Sequence, residues 1–120
     1  MKRDMNLVRQ VLLEVEKQPF TGSWIDLDIE GYTPETVTYH VMILYEAGLI
    51  EAMDLSTFGG SVWKPTSLTW EGHEFLEAAR DSSRWKKATS TLLEKTGGIA
   101  IDVLKQLLLK LMTEQVLPSP

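Results

Sequence analysis

The sequence predicts a small α+β domain. The expected order is a helix, a short strand, a second helix, a two-stranded hairpin, a third helix and a helical C-terminal extension. Three observations carry this. Met5, Val8, Leu12 and Val15 recur at the spacing of one helical face, with Val11 beside them. Thr33-Pro34-Glu35 opens a helix that Gly48 can close. Two β-rich runs, 49–55 and 62–68, flank the glycine-containing turn 56–61.

The first helix is expected from about Arg3 to Lys17, ended by Gln18-Pro19, since proline cannot continue the hydrogen-bond ladder. Phe20-Thr21-Gly22-Ser23 is a turn cluster. In Trp24-Ile25-Asp26-Leu27-Asp28-Ile29, apolar and polar residues alternate, which predicts a short half-buried strand. Thr33 then serves as N-cap, Pro34 suits the first helical position, and Glu35 suits the positive end of the helix dipole. Val37, Val41 and Leu44 form the core stripe, and Gly48 is placed for the left-handed residue after the helix. Pro65 marks the returning hairpin strand as an edge or bulged strand.

Thr69 caps the third helix, expected over about 70–80. Gly72 inside it signals close packing against another element. Asp81-Ser82-Ser83 breaks this helix and caps the next, over about 84–95. Gly97-Gly98 is a hinge before a last helix over about 101–115, and Leu117-Pro118-Ser119-Pro120 is a frayed tail. The expected division is 1–81 for the main domain and 82–120 for the extension, which packs on it or on a partner chain.

With 120 residues, one domain is expected. No run approaches the ~20 apolar residues of a membrane span. The charged opening MKRD does not read as a signal peptide, and there are no cysteines. A cytoplasmic location, no membrane partner and no disulfide are therefore expected. The net charge is −5. Residues 18–62 hold no lysine or arginine but seven acids: Asp26, Asp28, Glu30, Glu35, Glu46, Glu51 and Asp54. Such asymmetry bears on partners rather than on fold, and it disfavours nucleic acid.

Residues 36–50, from Thr36 through the Glu46-Ala47-Gly48-Leu49-Ile50 exit, resemble the recognition helix of bacterial winged-helix regulators and its passage into the wing. Leu68-Thr69-Trp70-Glu71-Gly72-His73 is similar to the segment that follows the wing. Nearly the whole chain, through MKRDMNLVRQVLLEVE, YHVMILYEAGLIEA and LTWEGHEFLEAARDSSRW, resembles a bacterial and phage family catalogued as domain of unknown function 2513. The first likeness implies a winged-helix-like domain. The second implies a bacterial or mobile-element setting and supplies no activity, cofactor or site residue. One departure stands out: a helix-turn-helix needs two helices in quick succession, and residues 19–33 leave little room for the first.

With the core stripe inward, the second helix turns Glu35, Thr36, Thr38, Tyr39, Met42, Tyr45 and Glu46 outward, and none is basic. Affinity for DNA comes mostly from phosphate neutralisation by lysine and arginine. Aromatic residues and methionine are instead enriched at protein interfaces. Glu35, Thr38, Tyr39, Met42, Tyr45 and Glu46 are therefore the candidate protein-interaction face, the alternative being that the apolar ones belong to an extended core. Val103, Leu104, Leu107, Leu108 and Leu111 form a wide apolar arc, which is either a self-association surface, as in a homodimer, or deeply packed within the chain. Lys64, Arg80, Arg84, Lys86 and Lys87 would supply phosphate contacts if the chain were a DNA-binding regulator; otherwise the last four form a solvated surface paired with Glu77, Asp81 and Glu94.

No catalytic residue, metal ligand set or cofactor motif stands out. His40 lies beside the core stripe and reads as a buried structural histidine. His73, with Glu77 one turn on, is a weak metal signal. The four tryptophans, Trp24, Trp63, Trp70 and Trp85, read as core and hairpin anchors. The expectation is a non-enzymatic module that binds a protein or itself. A DNA-binding transcriptional regulator is the alternative, and a small metal-dependent enzyme the remote one.

Overall fold

The computed structural model describes residues 1–116; the tail 117–120, read above as frayed, lies outside them. The described residues form five helices and a two-stranded antiparallel sheet: α1 (Met5–Lys17), α2 (Pro34–Glu46), β1 (Ile50–Asp54), β2 (Trp63–Leu68), α3 (Trp70–Ala79), α4 (Ser82–Thr96) and α5 (Ile101–Val116). The fold is α+β, as the pattern predicts. The chain divides into two compact units at Glu74/Phe75, inside α3. The expected division at 81/82 falls instead in the turn between α3 and α4.

In the first unit, α1 buries Met5, Leu7, Val8, Val11, Leu12 and Val15. It packs on α2 and β2. Burial of each such side chain contributes roughly 1.5–3 kcal/mol, and this packing holds a 13-residue helix that would be marginal alone. Asp4 caps α1 by accepting from the backbone N–H groups of Asn6 and Leu7. In α2, Thr33 Oγ1 accepts from the Thr36 N–H, Pro34 takes the first turn, and Val37, His40, Val41 and Leu44 are buried. Gly48 adopts φ +78, the left-handed value expected of it.

β1 and β2 pair antiparallel, with Ile50 opposite Leu68 and Asp54 opposite Trp63. The register shifts between Glu51 and Ala52, and Ala52 faces Pro65, so the proline sits at a bulge as expected. Beyond the strands, Leu55 N–H donates to the Val62 carbonyl, and Thr57 and Gly60 exchange both backbone bonds around Phe58-Gly59.

Residues 24–29 are not a strand. Their alternation is real: Ile25 and Leu27 are half-buried and Ile29 buried, between exposed polar neighbours. One backbone bond joins the segment to the hairpin, from Ile25 N–H to the Pro65 carbonyl. The N–H and C=O of a strand residue point to the same side, and Pro65 has no N–H to return a second bond. No ladder grows from that contact.

Gly72 fulfils the close-packing expectation. A Cβ there would lie 1.9 Å from the Leu49 carbonyl oxygen. Thr69 ties the same two segments together: its N–H donates to the Leu49 carbonyl and its hydroxyl to the Gly48 carbonyl.

In the second unit α4 packs on α5, and Phe75, Leu76, Ala78, Ala79, Trp85, Ala88, Leu92, Leu104 and Leu108 are buried. The Phe75 and Trp85 rings meet edge to face, 6.4 Å apart. Asp81 caps α4, and Gly97 ends it in the left-handed conformation. Of the tryptophans, Trp85 is buried and Trp63 half-buried, in agreement with an anchoring role. Trp24 and Trp70 correct that expectation, being 45% and 75% exposed. Trp70 occupies the first position of α3, on the side of the helix away from the buried Gly72, Phe75, Leu76 and Ala79.

Candidate functional site

The candidate face is built on α2, and α2 is held from two sides. On one side lies His40, which is fully buried. Its Nε2 accepts from the Asp4 backbone N–H at 2.8 Å. Its Nδ1 lies 2.8 Å from the Thr36 carbonyl, which can only accept. The ring is therefore the neutral Nδ1–H tautomer, with both nitrogens engaged. Asp4 extends the network, accepting from the Tyr32 hydroxyl at 2.9 Å. Burial, then the hydrogen bond to Asp4, then its charge push the Tyr32 phenol above its ordinary pKa.

On the other side lies β2. Trp63 N–H donates to Thr38 Oγ1, and the Tyr45 ring packs on Trp63 at 5.5 Å. The six residues of the predicted face are thereby divided. Thr38 and Tyr45 turn toward the hairpin, although Tyr45 keeps 42% of its surface exposed. Glu35, Tyr39, Met42 and Glu46, at i, i+4, i+7 and i+11, form the open ridge. Both glutamates are exposed, and Tyr39 and Met42 are half-buried between them. The Tyr39 ring also meets the edge of His40, 5.7 Å away. Eleven residues of helix separate the two carboxylates by about 16 Å along the axis.

The ridge is an open surface on which two exposed carboxylates flank Tyr39 and Met42. It carries no nucleophile–base pair, and its nearest histidine has no nitrogen to spare. Among the described residues, no three His, Cys, Asp or Glu side chains are grouped to hold a metal ion. No helix among them is long and apolar enough to cross a membrane.

The basic residues are dispersed. Lys64 pairs with Asp26, and Arg80 with Glu77 at 3.0 Å, the latter partner as expected. Lys86 and Lys87 are exposed on α4. Arg84, read above as a surface residue, is buried. It donates to the Ala78 and Glu77 carbonyls and to Gln115 Oε1. It caps the C-terminal carbonyls of α3, where a cation also meets the negative end of the dipole. Nothing in the sequence distinguishes Arg84 from its basic neighbours, because the receiving carbonyls converge only after α3 turns into α4.

The α5 residues also divide. Leu104 and Leu108 are buried, Leu107 and Leu111 half-buried, and Val103 is 47% exposed. Asp4 and Tyr32 were not singled out by sequence reasoning. The Asp4-x-x-Leu7 cap could have been read locally, but its long-range partners could not.

The model of a family described as hypothetical protein (DUF2513) matches residues 2–98. A Haemophilus influenzae strain Rd protein named "Uncharacterized protein" is 37% identical over 107 residues, which cover 88% of this chain and 91% of the relative. No solved structure matches the chain.

Proposed function

The chain belongs to the family described as hypothetical protein (DUF2513), and within that membership we propose that it is a non-enzymatic winged-helix-type module whose α2 ridge binds a basic protein partner. The observation that carries the reading is the ridge itself: Tyr39 and Met42 stand half-buried between exposed Glu35 and Glu46 on a face with no cation. Aromatic and methionine anchors with a charged rim are the composition of a protein interface. The winged-helix description rests on the order α1, α2, antiparallel hairpin, α3. It departs from the DNA-binding form in having no helix between Lys17 and Pro34. A bacterial cytoplasmic setting is part of the same proposal, supported by the relative in Haemophilus influenzae and a cysteine-free sequence.

Three other readings draw less support. Self-association through α5 has Val103 as its main exposed apolar contribution, since Leu104 and Leu108 are buried within the chain. DNA binding loses Arg84 to capping, and Lys64 and Arg80 to ion pairs. A metal-dependent enzyme has the least support: both His40 nitrogens are bonded, and His73 has no group of three His, Cys, Asp or Glu around it among the described residues.

Two measurements test the reading. Random-sequence duplex DNA at about 50 mM salt is expected not to bind; tight binding that collapses by about 200 mM would place phosphate contacts first. Protein capture is expected to be lost with Tyr39→Glu and Met42→Glu and kept with Lys86→Ala. Equal capture by all three variants would remove the ridge from the function.

A further inference from the structure

A groove of about 560 Å³ runs beside the ridge, between the first turns of α2, the extended segment 25–27 and the hairpin. Its apolar lining includes Ile25, Leu27, Val37 and Val62. Glu35 and Asp26 supply its anions, and its one cation, Lys64, is already paired with Asp26. Two hydrogen bonds fix the walls before anything binds: Trp63 N–H to Thr38 Oγ1, and Ile25 N–H to the Pro65 carbonyl. A pre-formed site avoids part of the ordering cost of association.

The tip of the hairpin closes one end. Thr57 and Gly59 line the groove, and Phe58 between them is fully exposed. The paired Thr57 and Gly60 backbones hold this turn in one conformation. An aromatic ring held in water next to groove-lining residues gains apolar burial when a ligand covers it.

We propose that this groove binds an extended peptide segment in which arginine or lysine alternates with apolar side chains. The apolar side chains would enter among Ile25, Val37 and Val62. The cation would meet Glu35 and the ring of Trp63 in the lining, with the exposed ring of Phe58, between lining residues Thr57 and Gly59, as a further cation–π face. Charge complementarity selects this occupant over an acidic or neutral one. Most of the groove's lining falls within residues 18–62, which hold seven acids and neither lysine nor arginine; Trp63, Lys64 and Pro65 complete it, and Lys64 is spent on Asp26. The inference rests on the reading of the chain as a binder of a basic protein, and it names the segment of that partner that is held.

The test is amide chemical-shift mapping on the full chain with a blocked tetrapeptide alternating leucine and arginine, and with its glutamate counterpart. Shifts are expected at Glu35, Phe58, Val62 and Trp63 with the arginine peptide and not with the glutamate one. Glu35→Gln and Phe58→Ala, both at exposed positions, are each expected to weaken binding about fivefold. Shifts confined to Tyr39, Met42 and Glu46 would overturn the groove and leave the ridge standing. Equal shifts with both peptides, or none with either, would also overturn it. The capture experiment above judges the ridge independently.

Discussion

The backbone N–H of Asp4 donates to Nε2 of buried His40, 36 residues away, at 2.8 Å. One bond thus fastens the N-terminus of α1 to the middle of the helix that carries the candidate surface. His40→Ala removes this bond and the one to the Thr36 carbonyl, and leaves a cavity. Destabilisation of about 2–4 kcal/mol is expected in urea denaturation. A loss below about 0.5 kcal/mol would mean that the network does not support the fold.

Asp4→Ala withdraws the cap of α1 and the acceptor of the Tyr32 hydroxyl together. The expected loss is about 1–3 kcal/mol, larger than for a simple cap. Asp4→Asn retains acceptor capacity and should recover much of it. Equal melting temperatures for the two variants would contradict this division.

Tyr32 links this network to pH. Its folded pKa is raised, by burial first and then by the hydrogen bond and charge of Asp4. The folded state therefore holds the phenolic proton more tightly than the unfolded chain does. The contribution is fully present below the ordinary phenol value of about 10 and is lost as pH rises through the folded value. Denaturation midpoints should fall as pH rises above the ordinary phenol value of about 10, and Tyr32→Phe should flatten that part of the curve.

Gly72→Ala is expected to destabilise the first unit severely, by about 3 kcal/mol or more. The new Cβ would meet the Leu49 carbonyl oxygen at 1.9 Å, and that backbone is held by Thr69. Melting within about 2 °C of wild type would show that α3 can shift freely.

Arg84→Leu keeps much of the side-chain bulk but deprives the Glu77 and Ala78 carbonyls of their donors. A loss of about 2–4 kcal/mol is expected in thermal melts, whereas Lys86→Ala and Lys87→Ala should change stability by less than about 0.5 kcal/mol. Similar losses at all three positions would return Arg84 to the surface.

The sequence by itself determined the features whose causes lie within a few residues. Thr33-Pro34-Glu35 and Gly48 bound α2 through capping and backbone preference. Pro65 forced the bulge, and the 18–62 charge pattern set the sign of the surface. Helical period alone set Val37, Val41 and Leu44 as the buried stripe of α2.

Tertiary structure decided what depends on groups brought together from afar. The alternation at 24–29 predicted a strand, but whether a ladder forms depends on the neighbouring chain, and that neighbour is a proline at the point of contact. Packing of β2 on α2 divided the predicted face, taking Thr38 and Tyr45 and leaving Glu35, Tyr39, Met42 and Glu46. Periodicity records which side of a helix is apolar. Which polar side chain is spent on a cap, as Arg84 is, and which ring is left in water, as Phe58 is, depends on where distant carbonyls and surfaces come to lie.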